Sequence, residues 1–300
     1  MPVPLRILIY PLFAIASFLI FFLLLFPFDS IKGRIEMEAE RGLGGKYNVQ
    51  IEDLSMALIS GVELKKITIK EKSGEHQLLM KVDEAEIHVS LLPLIWGSVR
   101  ISFDLVVDGG SLDGSVAQSG GEYKIQMDIT KLNLAAFPLL KANYGVSLSS
   151  DINGKIDMEV FPAAPLRNNG SIFLDLKSLK LAESNIMGLF PLPPLDLAGP
   201  KGKSKVDLVM NRGNIEIRSL DIKGGDLDLG IGGKIYLAQR VSNFRFNLRG
   251  KLGFSEKAAA ELPMLAIIEQ QKAEDGLYPI AISGRLKKPN IKVGDFNIPL

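Results

Sequence analysis

The first hydrophobic feature of the chain is the continuous run ILIYPLFAIASFLIFFLLLFPF, residues 7–28, which contains no charged side chain. A helix of this length measures about 33 Å, which is enough to cross a hydrocarbon core of about 30 Å. The run therefore predicts a transmembrane anchor over residues 1–29, with the short N-terminal tail inside. Because no small-residue cleavage site follows, we expect the anchor to be retained; a removed signal peptide is the alternative.

The next segment, DSIKGRIEMEAER at residues 29–41, places Ile31 and Ile35 four residues apart among charged side chains. This spacing predicts a short amphipathic helix, with a charged linker as the alternative. Glycines follow directly, beginning at Gly42, and glycine commonly ends a helix.

After these glycines, hydrophobic residues occur at every second position. In YKIQMDI, residues 123–129, the apolar side chains alternate with Lys124, Gln126 and Asp128. Because successive side chains of a strand point to opposite faces, this segment predicts a strand with one apolar and one solvated face. The same alternation recurs in VDLVM (206–210), NIEIR (214–218), DLDLGIGGKIYL (226–237) and FRFNLRG (244–250).

Glycine-containing dipeptides separate many of these runs, and we interpret them as turns between strands. They are Gly109-Gly110, Gly120-Gly121, Asn153-Gly154, Asn169-Gly170, Gly224-Gly225 and Gly232-Gly233. Strands so closely spaced along the chain predict sequential antiparallel pairing, and therefore a mainly β fold.

Two apolar segments of helical character interrupt the strands, residues 132–145 and residues 255–276, the second with Ser255 as its N-cap. Each precedes a strand that contains a glycine, so the pair resembles a degenerate repeat of a helix plus a β-meander. Residues 188–204 are rich in proline and predict a linker or an edge-wrapping loop. This loop is a candidate junction between two halves of a β-rich domain spanning residues 30–300.

A further apolar patch, SLLPLIWGSVRI at residues 90–101, lies between two strand patterns. We interpret its tryptophan, Trp96, as a core or edge-covering residue.

Composition excludes several functional classes. The chain has 35 basic and 34 acidic residues, a formal net charge of +1, so it lacks the basic surplus expected of a nucleic-acid-binding protein. It contains no cysteine, which excludes thiol catalysis, thiolate metal sites and disulfides.

No recognised catalytic, cofactor or metal motif occurs in the sequence. His76 and His88 are too far apart for the H-E-x-x-H spacing, and Asp113 stands where a G-x-S-x-G elbow needs glycine. Asp226 begins a sequence like a calcium loop, but Leu237 occupies the twelfth position in place of glutamate. The sequence therefore predicts no catalytic, cofactor-binding or metal site, and a protein that binds rather than catalyses.

Three segments resemble the AsmA-type pattern. Residues 82–114 resemble its strand that runs into a short Leu/Pro/Gly segment before a second strand returns. Residues 226–237 and 282–293 resemble its repeated glycine-then-strand units, the last with Gly284, Leu286 and Pro289 as a closing G-x-L-x-x-P signature. Together with the predicted anchor and the length near 300 residues, the chain resembles the type II secretion system protein N family (GspN).

The resemblance implies a single-pass protein of the cell inner membrane, with most of the chain in the periplasm as an elongated, twisted antiparallel β-sheet carrying two or three short helices. It implies no catalytic residues. We expect a non-enzymatic interaction or assembly module of type II secretion, whose partners are the inner membrane and other envelope proteins of that system. The alternative is an AsmA-like protein that binds or transfers phospholipid in an apolar β groove. The alternation that would line this groove would equally build the closed core of a β-sandwich or barrel.

Overall fold

The computed structural model describes residues 28–57, 61–72, 78–90, 93, 96–136, 145–186, 190–238, 240 and 243–298. Within them the α-helices are α1 (Phe28–Gly42) and α2 (Glu256–Glu261). Short 3-10 turns are formed by Leu134–Ala136, Pro165–Arg167, Pro263–Ile267 and Glu269–Gln271.

Strands make up most of the described chain. Their bounds are β1 (Tyr47–Ala57), β2 (Gly61–Glu71), β3 (Leu78–Ser90), β4 (Val99–Val107), β5 (Gly110–Ser119), β6 (Glu122–Asn133), β7 (Leu148–Val160), β8 (Asn169–Leu181), β9 (Ser184–Ile186), β10 (Phe190–Leu192), β11 (Leu195–Asp196), β12 (Lys203–Asn211), β13 (Asn214–Lys223), β14 (Leu227–Tyr236), β15 (Arg245–Phe254), β16 (Tyr278–Arg285), β17 (Lys288–Val293) and β18 (Phe296–Ile298).

One antiparallel sheet contains almost all of these strands, each paired with its neighbour in the chain. The order runs from β1 to β8 and then directly from β12 to β18, because β8 pairs with β12 across the proline-rich segment. Strand β11 adds a short pairing to β8, and β9 pairs with β10 in a separate ribbon. The prediction of a mainly β, sequentially antiparallel fold is confirmed.

The turn predictions succeeded only in part. Gly109, Gly120-Gly121 and Gly224-Gly225 lie in connections between strands, whereas Asn153-Gly154 and Gly232-Gly233 lie inside β7 and β14. A Cβ atom on Gly154 would lie 2.3 Å from the Phe173 carbonyl oxygen, so that site requires glycine because the neighbouring strand approaches closely.

Asn169-Gly170 was also assigned wrongly, since both residues begin β8 and the turn precedes them at residues 161–168. The backbone of Gly170 has φ +149°, and an added Cβ atom would lie 2.3 Å from the Asp157 carbonyl oxygen. Here, as at Gly154, glycine serves close strand packing rather than a turn.

Two of the three helix predictions are confirmed at their starts, and one of these two is wrong at its end. α1 forms as the pattern of residues 29–41 predicted, and the Ala258 amide donates to the Ser255 hydroxyl at 3.1 Å as an N-cap. The predicted helix over 255–276 ends at Glu261, because a proline follows at position 263 and the chain continues as 3-10 turns.

The other predicted helical segment, residues 132–145, begins instead as the last residues of β6 and a 3-10 turn, and residues 137–144 lie outside the described part. The predicted anchor at residues 7–28 likewise lies outside the described residues, apart from the first residue of α1. No helix of the described chain has the length and apolar character needed to cross a bilayer.

Because consecutive strands are antiparallel, their connections alternate between two opposite rims of the sheet. We call one the short-turn rim; its described and partly described connections are residues 91–98, 120–121, 161–168, 212–213, 237–244 and 286–287. We call the other the capped rim; it carries residues 72–77, 108–109, 134–147, 182–202, 224–226, 255–277 and 294–295. The three longest connections therefore lie on one rim, together with the entry of the chain from α1.

Segments of the capped rim fold over the apolar face and form two buried clusters. The first packs Ile31 and Ile35 of α1, with the turn at Leu134–Ala136, against buried residues of β1 to β7 such as Leu64. The second packs residues 195–198 and the α2 region, including Leu262, against β8 and its neighbours. The core therefore lies toward the capped rim.

Candidate apolar binding face

Cross-strand partners share a face of a sheet, so the register of pairing determines which side chains form continuous rows across the strands. A first row lies nearest the short-turn rim and runs from β3 to β17 without a polar side chain. Its members, in order of pairing, are Val89, Ile101, Val116, Ile125, Met158, Gly170, Met210, Ile215, Ile235, Phe246, Gly284 and Pro289.

Two further rows on the same face span all the strands of the main path, and they too contain only apolar residues and glycine. The second row is Met56, Val62, Ile87, Phe103, Gly114, Met127, Ile156, Ile172, Leu208, Ile217, Gly233, Leu248, Ile282, Ile291 and Ile298. The third row is Leu54, Leu64, Ala85, Leu105, Leu112, Ile129, Gly154, Leu174, Val206, Leu220, Ile231, Gly250, Ile280, Val293 and Phe296.

The burial of these rows decreases toward the short-turn rim. In the third row Leu54, Leu64, Ala85 and Val293 are buried beneath or beside the capping segments. In the second row only Ile217 and Leu248 are buried, and in the first row none of the twelve positions above is buried. The capping segments therefore cover one side of the apolar face and leave the other side open.

The opposite face of the same strands is polar. The positions that alternate with the first two rows form a paired row of mostly hydrophilic residues: His88, Ser102, Ser115, Gln126, Asp157, Ser171, Val209, Glu216, Lys234, Asn247, Ser283 and Asn290. The sheet thus has one solvated face and one apolar face, as the alternation in residues 123–129 predicted.

The open part of the apolar face is large for a protein surface. With strands about 4.8 Å apart and rows about 6.7 Å apart, the first row extends roughly 53 Å, and the first and second rows together are roughly 7 Å wide. The resulting area of roughly 350 Å² lies within the range of the largest apolar patch of a typical monomer, about 300–600 Å², and such patches are often functional. A hydrocarbon core of about 30 Å is two acyl chains thick, so about three chains could lie end to end along the first row.

Irregular backbone separates the open rows from the covered side. Lys66, Lys131 and Ser178 adopt positive φ values of 53°, 49° and 53° inside β2, β6 and β8. Pairing shifts register beside Lys131, between Ile129 and Leu132, which identifies a β-bulge. Bulges bend a strand and increase its twist, so these positions change the direction of the sheet where the capping segments begin.

A row of carboxylates crosses the polar face of the first strands, at Glu63, Glu86, Asp104, Asp113 and Asp128. Desolvation, followed by hydrogen bonding to Asp113, raises the pKa of the Asp104 carboxyl above its ordinary value. The Lys65 ammonium, 2.7 Å from Glu63, is the main cause that lowers the pKa of Glu63 to about 2.

Neighbouring Glu84 responds in the opposite direction, because a hydrogen bond to Glu63 raises the pKa of the Glu84 carboxyl. Within the residues that the structure describes, no group of three His, Asp or Glu side chains is arranged to hold a metal ion. The row therefore gives no candidate cation site among the described residues, and Asp104 is the member of the row at which repulsion from Asp113 contributes to a raised pKa.

The residues that were considered for chemistry have structural roles where they are described. His88 Nε2 lies 2.9 Å from Glu86 Oε1, while His76 falls outside the described residues. Asp226 accepts hydrogen bonds from the Ser255 hydroxyl at 2.8 Å and the Asp196 amide at 2.9 Å, which fastens two capping segments together. Asp113 accepts a hydrogen bond from the Ser111 hydroxyl at 3.2 Å within the paired strand β5.

Sequence reasoning missed two features of the face. The alternation showed that each strand has an apolar side, but the three rows depend on register, which only the pairing reveals. Gly154, Gly170 and Gly233 were interpreted as turn residues, although they continue the apolar rows at positions where a side chain would collide with the neighbouring strand. Their position inside otherwise alternating segments was the signal that could have identified these glycines as strand residues.

Comparison of the chain with protein-family models, with curated proteins and with solved structures gave no match.

Proposed function

We propose that this protein is a non-enzymatic lipid-binding protein that holds the acyl chains of phospholipid against the open apolar rows of its sheet. The single observation that carries the proposal is the first row, whose paired positions across β3 to β17 carry no charge and are half-buried or exposed, none of them buried. Burying acyl chains there would remove apolar surface from water on both partners, which is favourable by roughly 25 cal/mol per Å².

The architecture supports this proposal over a closed core. In a sandwich or barrel a second layer would cover the first row as fully as the capping segments cover Leu64, which is 2% exposed. A long antiparallel meander with one apolar face is also what the AsmA-type resemblance implies. Residence in the inner membrane, with the sheet in the periplasm, belongs to the same proposal and rests on the apolar run at residues 7–28.

The direct test places a photo-crosslinking amino acid at Ile125, in the first row, in the full chain within its own membrane. The matched control is the adjacent residue Gln126, which lies on the opposite face of the same strand. We expect phospholipid adducts, identified by mass spectrometry, at position 125 and background levels at position 126. Equal adduct levels at both positions, or none at position 125, would contradict lipid binding on this face.

A second candidate is an interaction module of type II secretion, favoured by the sequence resemblance and by an asymmetry between the two edges of the sheet. The Val49 and Ile51 amides on the outer edge of β1 donate to Glu40 Oε1 at 3.1 Å and to Glu36 Oε1 at 2.8 Å. No described strand pairs with the outer edge of β18. An open edge can accept a strand from a partner. If position 125 yields protein adducts in place of lipid adducts, this candidate replaces the first.

A further inference from the structure

Four neighbouring turns of the short-turn rim differ in charge from the rest of the molecule. They connect β7 to β8, β12 to β13, β14 to β15, and β16 to β17. Every charged residue in these turns, or in the single strand residue on either side of each turn, is basic. These residues are Arg167, Arg212, Arg240, Arg245, Arg285, Lys287 and Lys288, and all of them are exposed. We call these four turns the basic rim.

The capped rim of the same strands has the opposite character. Its connections carry more acidic than basic residues, the acidic ones being Glu183, Asp196, Asp226, Glu256, Glu261, Glu269, Glu274, Asp275 and Asp295. The near-neutral total charge of the chain therefore conceals a polarity between the two rims.

Within the described chain, none of the basic-rim cations forms an ion pair with a carboxylate. Arg245 and Arg285 are direct cross-strand partners, a placement of like charges that is unfavourable unless an anion lies nearby. The two arginines, with Tyr236 and Phe246, line an open cavity of about 920 Å³ at the strand ends. Because Phe246 belongs to the first row, this cavity connects the apolar face with the basic rim.

Large apolar side chains are exposed beside these cations. Leu166 is 57% exposed and Leu286 is 43% exposed, each in a turn of the basic rim, and Tyr236, the last residue of β14, is 40% exposed. Exposed leucine and tyrosine among arginines and lysines is the composition of surfaces that insert into the headgroup region of a bilayer.

Backbone hydrogen bonds join the four turns into one strip. The Gly213 amide donates to the Asn168 carbonyl at 3.1 Å, and the Leu237 amide donates to the Gly213 carbonyl at 3.0 Å. At the other end the Leu286 amide donates to the Phe244 carbonyl at 2.9 Å. The strip crosses six strand spacings, about 29 Å, so its charges and apolar tips follow one another along the same rim of the sheet.

We propose that the basic rim docks on the surface of an anionic phospholipid bilayer, with its cations at the headgroups and Leu166, Tyr236 and Leu286 in the interface. Charge complementarity selects this occupant, because each lysine or arginine near an anionic leaflet gains electrostatic attraction and the leucine tips add apolar burial. Docking of this rim places the open edge of the first row against the bilayer. The proposal goes beyond lipid binding on the face, since a rim can dock whether or not the face is occupied.

The absence of cysteine from the chain allows single-site labelling with a polarity-sensitive dye. The reporter is Leu286→Cys on the basic rim, and the matched control is Ala273→Cys on the capped rim. Both are made in the full chain reconstituted in vesicles of phosphatidylcholine alone or of phosphatidylcholine with about 30% phosphatidylglycerol, so any effect of residues 7–28 is common to both.

We expect a blue shift of the Leu286→Cys dye only in vesicles that contain phosphatidylglycerol, and its loss in about 0.5 M salt because surface charge is then screened. Adding Arg245→Gln and Arg285→Gln should weaken docking by about fivefold per charge. The control pair Lys203→Gln and Lys223→Gln, on the capped rim, should leave it unchanged.

The same emission wavelength of the Leu286→Cys dye in the two kinds of vesicle would overturn the proposal. Equal blue shifts of the Leu286→Cys and Ala273→Cys dyes would also overturn it. Lipid adducts at position 125, without a shift of the Leu286→Cys dye, would contradict rim docking and support lipid binding on the face. A dye shift without lipid adducts at position 125 would support rim docking and contradict lipid binding on the face.

Discussion

At the scale of single residues, the carboxylate row on the polar face contains a carboxyl, that of Asp104, that destabilises the fold at neutral pH. Asp104 pairs with both Glu86 and Asp113, and partial burial followed by hydrogen bonding to Asp113 raises the pKa of its carboxyl above the ordinary value of 3.8. A carboxyl whose folded pKa is raised stabilises the fold below its unfolded pKa and loses that contribution as the pH rises through its folded pKa. At neutral pH the ionised Asp104 carboxyl is therefore a cost to stability.

Replacing Asp104 with Asn should stabilise the protein by about 0.5 kcal/mol at pH 7, since like charges directly opposite cost about 0.2–1 kcal/mol and solvent screens this exposed pair. The gain should vanish near pH 3, where the Asp104 carboxyl, whose pKa is raised above 3.8, is protonated. Urea unfolding at the two pH values measures it. Asp157→Asn is the control, because Asp157 pairs with Gln126 and Ser171 and has no like-charged partner. Equal effects of the two substitutions would contradict the repulsion account.

Residue identity predicted which face each strand buries but not what its glycines do. The alternation of Tyr123, Ile125 and Met127 with Lys124 and Gln126 was enough to place side chains on the correct faces, because the two-residue period is a property of any strand. Glycine carries two signals, since it permits both turns and close backbone approach. Gly154 and Gly233 were assigned to turns. In the structure they lie inside strands, where they allow the neighbouring strand to approach closely.

At the scale of elements, α1 closes the first edge of the sheet through its side chains. Glu40 accepts hydrogen bonds from the Val49 amide at 3.1 Å and the Asn48 side chain at 3.0 Å, and it pairs with Lys72 at 2.6 Å. The bond to Lys72 is the largest cause that lowers the pKa of the Glu40 carboxyl. Because the folded pKa is lowered, this contribution is present above the unfolded pKa of 4.5 and is lost as the pH falls through the folded value.

We therefore expect Glu40→Ala to increase amide hydrogen exchange at Val49 at pH 7, since that amide loses its acceptor on an edge strand. Glu38→Ala is the matched control on the same helix, because Glu38 contacts Arg41 on the exposed side of α1. Lowering the pH below about 4 in the unmodified protein should increase the exchange at Val49 relative to neighbouring amides, after correction for intrinsic rates. Unchanged protection of Val49 in the Glu40→Ala protein would show that α1 does not protect this edge.

The sequence predicted the elements better where a local signal decides them than where tertiary contacts do. Ser255 was identified as an N-cap because a cap is set by residues within one turn. The extent of the following helix was overestimated, since the proline at position 263 was included in an apolar helical pattern. The protection of β1 by Glu36 and Glu40 could not be foreseen, because these contacts span 15 and 9 residues and no local pattern specifies them.

At the scale of the whole molecule, the sheet resembles a linear array, since strands make their main contacts with their immediate neighbours. Burial is concentrated in two clusters, one built on β1 to β7 and α1 and the other on β8, the segment 195–198 and the α2 region, with the partly buried Leu176 of β8 packed against both. In arrays of this kind stability is approximately a sum of local and nearest-neighbour contributions, and regions can open independently. The open first row belongs to neither cluster.

Matched leucine truncations in the two clusters test this independence. Leu64 is 2% exposed in the first cluster and Leu262 is 4% exposed in the second, and each Leu→Ala substitution should cost about 2–5 kcal/mol locally. Hydrogen exchange followed by mass spectrometry should then show faster opening of β1 to β5 in Leu64→Ala and of β14 to β16 in Leu262→Ala, with little effect on the other group. If either substitution accelerates exchange in both groups equally, the sheet unfolds as one cooperative unit, because a local loss has then been transmitted across every strand between the clusters.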